Sequence, residues 1–207
     1  MPHTTKADID LLLHAYRNGF FPMAKSREDS QFYWVTPQQR GVIPLDRFHL
    51  PRRLAKSLKQ ANFSYSRNRA FAEVLEACAA PRHKHPDSWI NPQIQELYLE
   101  LHRQGYAHSL EVWQEGEQRG ATPQLVGGLY GVALGAAFFG ESMFSHVTNA
   151  SKAGLVELVR HLQTRQFRLL DAQFYTPHLA QFGAVEIPQE LYLEQLAEAL
   201  LWQASFA

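Results

Sequence analysis

The segment LVGGLYGVALGAAFFGESMFS, Leu125–Ser145, decides how the rest of this chain is read. It is apolar, broken only by glycine, and it turns polar at Glu141. Apolar runs bounded by glycine read as buried strands, and this one accommodates two, over 124–133 and 136–140, bent or bulged around Gly135. About 30 residues further on, LLDAQ at Leu169–Gln173 has the same design. A strand predicted over 167–172 ends on the carboxylate of Asp171, and Thr176-Pro177-His178 follows. A carboxylate at the end of a core strand is expensive to bury unless something pairs with it. Either one alone could simply cap a following helix. Two in similar settings point to a site.

Outward from these strands, the pattern alternates between helix and strand signals. Ile9, Leu12, Leu13 and Tyr16 form one apolar helix face, stopped by Asn18-Gly19. Residues 20–27 read as a loop, 32–35 as a short strand and 37–41 as a turn. Pro51 opens a basic helix to about Gln60, at its first position. Residues 63–65 alternate like a strand, 71–79 are helical, and 81–86 form a basic loop. Asn91-Pro92 starts a helix with Ile94, Leu97, Tyr98 and Leu101 on one face, closed by Gly105. His108–Trp113 is a strand, and the polar segment 115–122 suits a hairpin loop. Asn149 is placed to cap a helix whose Leu155, Leu158, Val159 and Leu162 are its buried side. A last amphipathic helix follows Pro188. Strands in a row, then a helix, then a strand, is an α+β pattern. There are no repeats.

With 207 residues, the chain has room for one domain or two small ones, and 45% apolar content is ordinary for a globular protein. Its one cysteine, Cys78, excludes an internal disulfide framework and fits a reducing compartment. Cys78 sits in an apolar stretch and reads as a buried thiol rather than a nucleophile. The first 20 residues lack a secretory pattern, and no apolar run is long enough to span a bilayer, so a cytoplasmic location is expected. The formal net charge is zero, but its distribution is uneven. Residues 40–85 hold ten Lys and Arg against three acids, a local balance of +7. From Ala184 onward there are glutamates at 186, 190, 194 and 198 and no Lys or Arg. Such asymmetry suggests a basic face for phosphates, the alternative being a solvated surface. There is no GxxxxGK[ST] loop and no His/Cys cluster with zinc spacing, so neither a metal nor another cofactor is expected.

These motifs also carry a resemblance. GGLYGVALG, FFGESMFS, NASK at Asn149–Lys152, LLDAQ, TPHL and GAVEIP occur in that order in the C-terminal half. YRNGFFPMAKSR at Tyr16–Arg27, YWVTPQQRGVIPLDRFHLPR at Tyr33–Arg52 and HSLEVW at His108–Trp113 precede them. Together they resemble the leucyl/phenylalanyl-tRNA–protein transferases over nearly the whole chain. The resemblance implies a GNAT-like acyltransferase domain over 51–207, preceded by a small N-terminal α/β domain over 1–50. It implies transfer of Leu, Phe or Met from aminoacyl-tRNA to proteins with N-terminal Arg or Lys, marking them for degradation. Asp171 is then the carboxylate that orients the attacking amine or accepts its proton, with Gln173 the relay beside it. Glu141 helps to hold the acceptor's amine or basic side chain. Asp171 and Gln173 are two apart on a strand and so share a face. An ordinary carboxylate is a weak base for an ammonium group, so positioning could supply most of the rate.

The resemblance further implies a donor pocket of Leu129, Phe138, Met143, Leu155 and Leu158, any of which would be plain core by composition. Trp34 and Trp113 match positions near the terminal adenosine, where an indole can stack on the base. The basic face offers Arg52, Arg53, Lys56, Lys59, Arg67, Arg69, Arg82 and Lys84 to tRNA. The chain departs from the family in three places. Ala172 stands where many members have Cys, Gln189 where an Arg commonly follows the Ile-Pro pair, and 115–122 looks inserted. Two other readings compete. An acyl-CoA-dependent N-acetyltransferase shares the fold but needs a glycine-rich pyrophosphate loop, and residues 145–152 contain no glycine. A non-catalytic RNA-binding module leaves Asp171 and Gln173 without a purpose.

Overall fold

The strands predicted from Leu125–Ser145 lie at the centre of a seven-stranded sheet. A computed structural model describes residues 4–81, 87–116 and 122–207. In chain order the elements are α1 (Lys6–Arg17), β1 (Phe21–Met23), β2 (Tyr33–Val35), β3 (Gln39–Val42), α2 (Arg52–Gln60), β4 (Phe63–Arg67), α3 (Phe71–Ala79), α4 (Pro92–Arg103), β5 (Ala107–Gln114), β6 (Gln124–Leu134), β7 (Ala137–Ser145), α5 (Ala150–Thr164), β8 (Leu169–Gln173), α6 (Pro177–Ala180), β9 (Val185–Pro188) and α7 (Gln189–Leu200). The large sheet runs β4-β5-β6-β7-β8-β3-β9, and β1 and β2 form a separate ribbon. All its neighbouring pairs are antiparallel except β7–β8, which is parallel and joined through α5.

Neighbouring residues along the central strands enter different cores, as the pleat requires. Tyr130, Phe139, Leu169 and Val42 face one side, with α1, α3, α4 and α7. Leu129, Phe138, Leu170 and Ile43 face the other, with α5. The helix faces read from periodicity, including Ile9, Leu12, Leu13 and Tyr16 on α1 and Leu155, Leu158, Val159 and Leu162 on α5, are all buried. Cys78 is buried among them.

Several elements differ from expectation, each for a local reason. The predicted loop 20–27 contains β1. The predicted turn 37–41 becomes β3, because its backbone is sandwiched between β8 and β9. Gly135 does not bulge one strand. With φ of +57° it makes the tight turn of a hairpin in which Leu134 pairs Ala137. Pro51 precedes the first helical residue instead of occupying it. Asn149 precedes α5 but has φ of +66° and gives no cap bond; its amide donates to Ser57 Oγ at 3.2 Å. Asn91 does cap α4, accepting the Ile94 N–H at 2.8 Å. Most of the predicted insertion, residues 117–121, lies outside the described residues, as does 82–86.

Candidate active site

Strands β7 and β8 pair only over 137–139 and 169–171 and then separate. β7 continues to Ser145 while β8 ends at Gln173, so a wedge opens between them. Two β-bulges shape this wedge. Against β6, Tyr130 pairs Ser142 and Gly131 pairs Gly140, which leaves Glu141 as the extra residue. Against β3, Gly41 pairs Gln173 and Val42 pairs Asp171, leaving Ala172 extra. A bulge inserts one residue and re-aims those beside it. Here both bulges aim polar side chains at one spot.

That spot is a buried, fully bonded cluster. Glu141 accepts from Tyr16 Oη at 2.7 Å, Tyr98 Oη at 2.8 Å and Gln173 Nε2 at 3.0 Å. Asp171, with no exposed surface, accepts from Arg40 Nε at 2.9 Å, Arg40 Nη2 at 2.6 Å, Tyr192 Oη at 2.7 Å and the Gln173 N–H at 2.8 Å. Arg40 also donates to the Gly19 carbonyl at 2.9 Å and lies between the rings of Phe21 and Tyr192. Asp171, Gln173 and Glu141 therefore converge, though through bulges and a sharp turn rather than along a flat strand. The cluster holds two carboxylates against one guanidinium. Burial pushes the Glu141 carboxyl up to about 7; the bonds from Tyr16, Tyr98 and Gln173 oppose this and the charge of Asp171 adds to it. Burial likewise keeps the phenols of Tyr16, Tyr98 and Tyr192 protonated, as donors.

On the α5 side of the sheet the wedge opens into a pocket of about 270 Å³. Leu129, Met143, Leu155 and Leu158 line it as expected, together with Ile43, Leu170 and Leu179, and Glu141 and Asp171 form part of its wall. Phe138 is not in the lining. It is buried in the same core, stacked on Phe206 and edge-on to Phe167. Phe138 pairs with Leu170, where β7 and β8 are still joined and the wedge has not opened, whereas Met143 lies beyond the bulge. One inserted residue flips the alternation beyond it, which brings Met143 onto the face of Leu129. Trp34 and Trp113 lie elsewhere. Trp34 lines a separate groove of about 520 Å³ that also includes Asp8, Glu28, Asp29 and Glu96. Trp113 donates its indole N–H to Ser66 Oγ at 2.7 Å, with Arg69 over its ring.

Arg52, Arg53, Lys56 and Lys59 on α2, Arg67 at the end of β4 and Arg69 just after it are exposed, whereas Arg82 and Lys84 lie outside the described residues. Arg40, counted in the basic stretch, is not part of any surface. Sequence reasoning missed it in the site, along with Tyr16, Tyr98 and Tyr192. One signal was available: a buried carboxylate needs a cation and donors, and Arg40 opens the largely apolar run RGVIPL. Among the described residues no group of three or more His, Cys, Asp or Glu is placed to hold a metal ion.

Family models for leucyl/phenylalanyl-tRNA protein transferase match residues 42–197, and its N-terminal domain matches 6–38. The chain belongs to the leucyl/phenylalanyl-tRNA protein transferase family. Among relatives of that name, the protein of Paramagnetospirillum magneticum is 52% identical over 95% of this chain and 91% of its own. That of Ruegeria pomeroyi is 52% identical over 96% and 89%. The solved structure of FemX superposes with a TM-score of 0.51 at 10% identity, covering 92% of this chain and 65% of FemX, a likeness of fold alone. Within the transferase family frame, the wedge and its pocket fall in the region 42–197 and Tyr16 in the region 6–38. Arg40 lies between the two.

Proposed function

We propose that this chain transfers Leu, Phe or Met from aminoacyl-tRNA to the α-amino group of proteins that begin with Arg or Lys, in the cytoplasm, and that the products are marked for degradation. Membership of the leucyl/phenylalanyl-tRNA protein transferase family makes it an aminoacyltransferase. One observation carries the site: an apolar pocket that opens directly onto a buried carboxylate cluster. The donor's side chain enters the pocket, where Leu129, Met143, Leu155 and Leu158 suit unbranched or γ-branched chains. The ester carbonyl then lies at the wedge. The acceptor amine attacks that carbonyl, the C–O bond to the terminal ribose breaks, and the amine's proton leaves while the ribose oxygen gains one.

Glu141 is the better placed of the two carboxylates to hold the amine and take its proton. A group at about 7 is matched to an α-ammonium near 8, as an ordinary carboxylate is not. Asp171 is fully occupied by Arg40, Tyr192 and Gln173, and it acts as an anchor. Trp34 and Trp113 do not line the pocket, so an adenosine role for them requires the tRNA end to extend beyond the wedge. The exposed bases of α2 and β4 then meet the tRNA phosphates. The GNAT-like architecture belongs to the same proposal. It is supported by the splayed parallel pair and the crossing helix α5, whereas the division near residue 50 is not, because β3 precedes that point and yet lies inside the large sheet between β8 and β9. The acetyl-CoA reading is disfavoured at the start of α5. There the Ser151 N–H is taken by Ser145 Oγ at 3.1 Å instead of being left for a pyrophosphate.

Incubation with labelled Leu-tRNA and an Arg-starting peptide should yield labelled Leu-Arg peptide. An Asp-starting peptide, or acetyl-CoA as donor, should yield nothing. Acetylation without leucyl transfer would overturn the proposal.

A further inference from the structure

Gln173 stands in a backbone conformation that glutamine rarely adopts. Its φ is +63°, and the Phe174 N–H turns back to the Ala172 carbonyl at 2.7 Å, closing a three-residue turn on Gln173. Turns of this sense are rare and strained, and such strain persists only where the surroundings over-determine it. Three contacts do so. Asp171 Oδ1 holds the Gln173 N–H, and Glu141 Oε2 holds its side-chain amide. Gly41 lets the following chain fold flat over β3, since a Cβ there would stand 2.4–2.7 Å from backbone atoms of Phe174 and Tyr175. Asp171 can impose the turn only if it is itself immobile. Arg40 supplies that. Its fork meets both carboxylate oxygens, its third nitrogen is tied to the Gly19 carbonyl, and two rings enclose its plane.

We propose that Arg40 is a positioning residue for aminoacyl transfer: by fixing Asp171 it holds Gln173 in the strained turn that keeps its amide on Glu141. Arg40 lines no part of the pocket, so it acts through Asp171 and Gln173. Its effect on turnover rests on the transfer reaction proposed above, whereas its effect on the turn rests on geometry alone.

A double-mutant cycle separates the two. Arg40→Lys keeps the charge, but a single ammonium cannot span both Asp171 oxygens and the Gly19 carbonyl in one plane. It should lower kcat for leucyl transfer on the order of 10–100-fold and leave KM for Leu-tRNA nearly unchanged. The rising limb of the pH–rate profile should move to higher pH, because the bond from Gln173 holds the Glu141 carboxyl down. Gln173→Gly accepts the positive φ without strain but loses the amide. The double variant should transfer at the rate of Gln173→Gly alone, and the Tm change caused by Gln173→Gly, strain relieved less the bond to Glu141 lost, should be larger in size in the wild-type background than in the Arg40→Lys background, where the turn has relaxed. Multiplying rate losses, or equal Tm changes in both backgrounds, would overturn the proposal. Tyr192→Phe removes one Asp171 donor and leaves Arg40 in place; should Arg40→Lys fail to fold, it should show the same non-additivity with Gln173→Gly. An inactive wild type would overturn the transfer reading, and the melting cycle would still decide the clamp.

Discussion

Two buried glutamates, Glu111 on β5 and Glu141 on β7, show what separates a structural carboxylate from a candidate catalytic one. Glu111 has no exposed surface and is bonded by Ser66 Oγ and Ser109 Oγ, each at 2.5 Å, and by the Ala70 N–H at 3.3 Å. It ties β4, β5 and the start of α3 together, and it is in the lining of none of the grooves described above. Glu141 is bonded as completely, but one side of it is the wall of the wedge pocket. Burial and bonding are common to both. An open side, where a substrate's amine could replace or join a donor, belongs to Glu141. The same contrast holds for two apolar neighbours, since Met143 faces the pocket and Phe138 faces only core.

The largest expected effect breaks the glutamate pair apart. Glu141→Gln should reduce leucyl transfer on the order of 100-fold or more, if Glu141 takes the amine's proton. It should also alter the pH dependence of stability. The folded Glu141 binds its proton up to about 7, against 4.5 in the unfolded chain. Between those values the folded state holds more protons, so wild-type stability falls as pH rises through this window. Melting curves of Glu141→Gln from pH 4 to 8 should lose that component. A variant with wild-type turnover, or with an unchanged pH slope, would remove Glu141 from its assigned role.

Phe138→Ala and Met143→Ala sharpen the second pair. Phe138→Ala should destabilise the fold by about 3–5 kcal/mol without changing the relative use of Leu and Phe donors. Met143→Ala should lower kcat/KM for Leu-tRNA by about 30-fold, corresponding to about 2 kcal/mol of lost contact, with KM for the acceptor peptide unchanged. Equal loss for donor and acceptor would indicate general destabilisation instead. Glu111→Ala strands two hydroxyls and an amide and should cost about 2–4 kcal/mol in denaturant unfolding, with turnover per folded molecule preserved. A loss of chemistry at saturating substrate would make Glu111 more than structural.

The smallest effect concerns the exposed basic helix α2. Arg52→Ala with Lys56→Ala should flatten the slope of log tRNA affinity against log salt by about one to two units. Leu-tRNA and Phe-tRNA should weaken alike, because phosphates carry no amino-acid information. An unchanged slope would show that α2 faces solvent in the complex.

Much of the architecture was legible because it is local. Helix faces such as Ile9, Leu12, Leu13 and Tyr16 repeat with the helical period, and Asn91 announces its own cap. Glu141, Asp171 and Gln173 stood out because polar residues ending apolar runs demand partners. β3 was misread as a turn because its strand character comes only from β8 and β9 on either side.

By itself, then, the sequence determined the order of the elements, the apolar faces and the polar residues that end the central strands, all properties of neighbours along the chain. Only the tertiary structure decided that Arg40 leaves the basic surface to clamp Asp171, since a cation's partner is set by which strands lie side by side. It decided that Met143 and not Phe138 meets the pocket, because the bulge at Glu141 turns Met143 onto that face while Phe138 lies where β7 and β8 are still paired. It also decided that the Glu141 carboxyl is pushed up to about 7, because the strands and helices packed around it exclude solvent, against the opposing pull of its donors Tyr16, Tyr98 and Gln173.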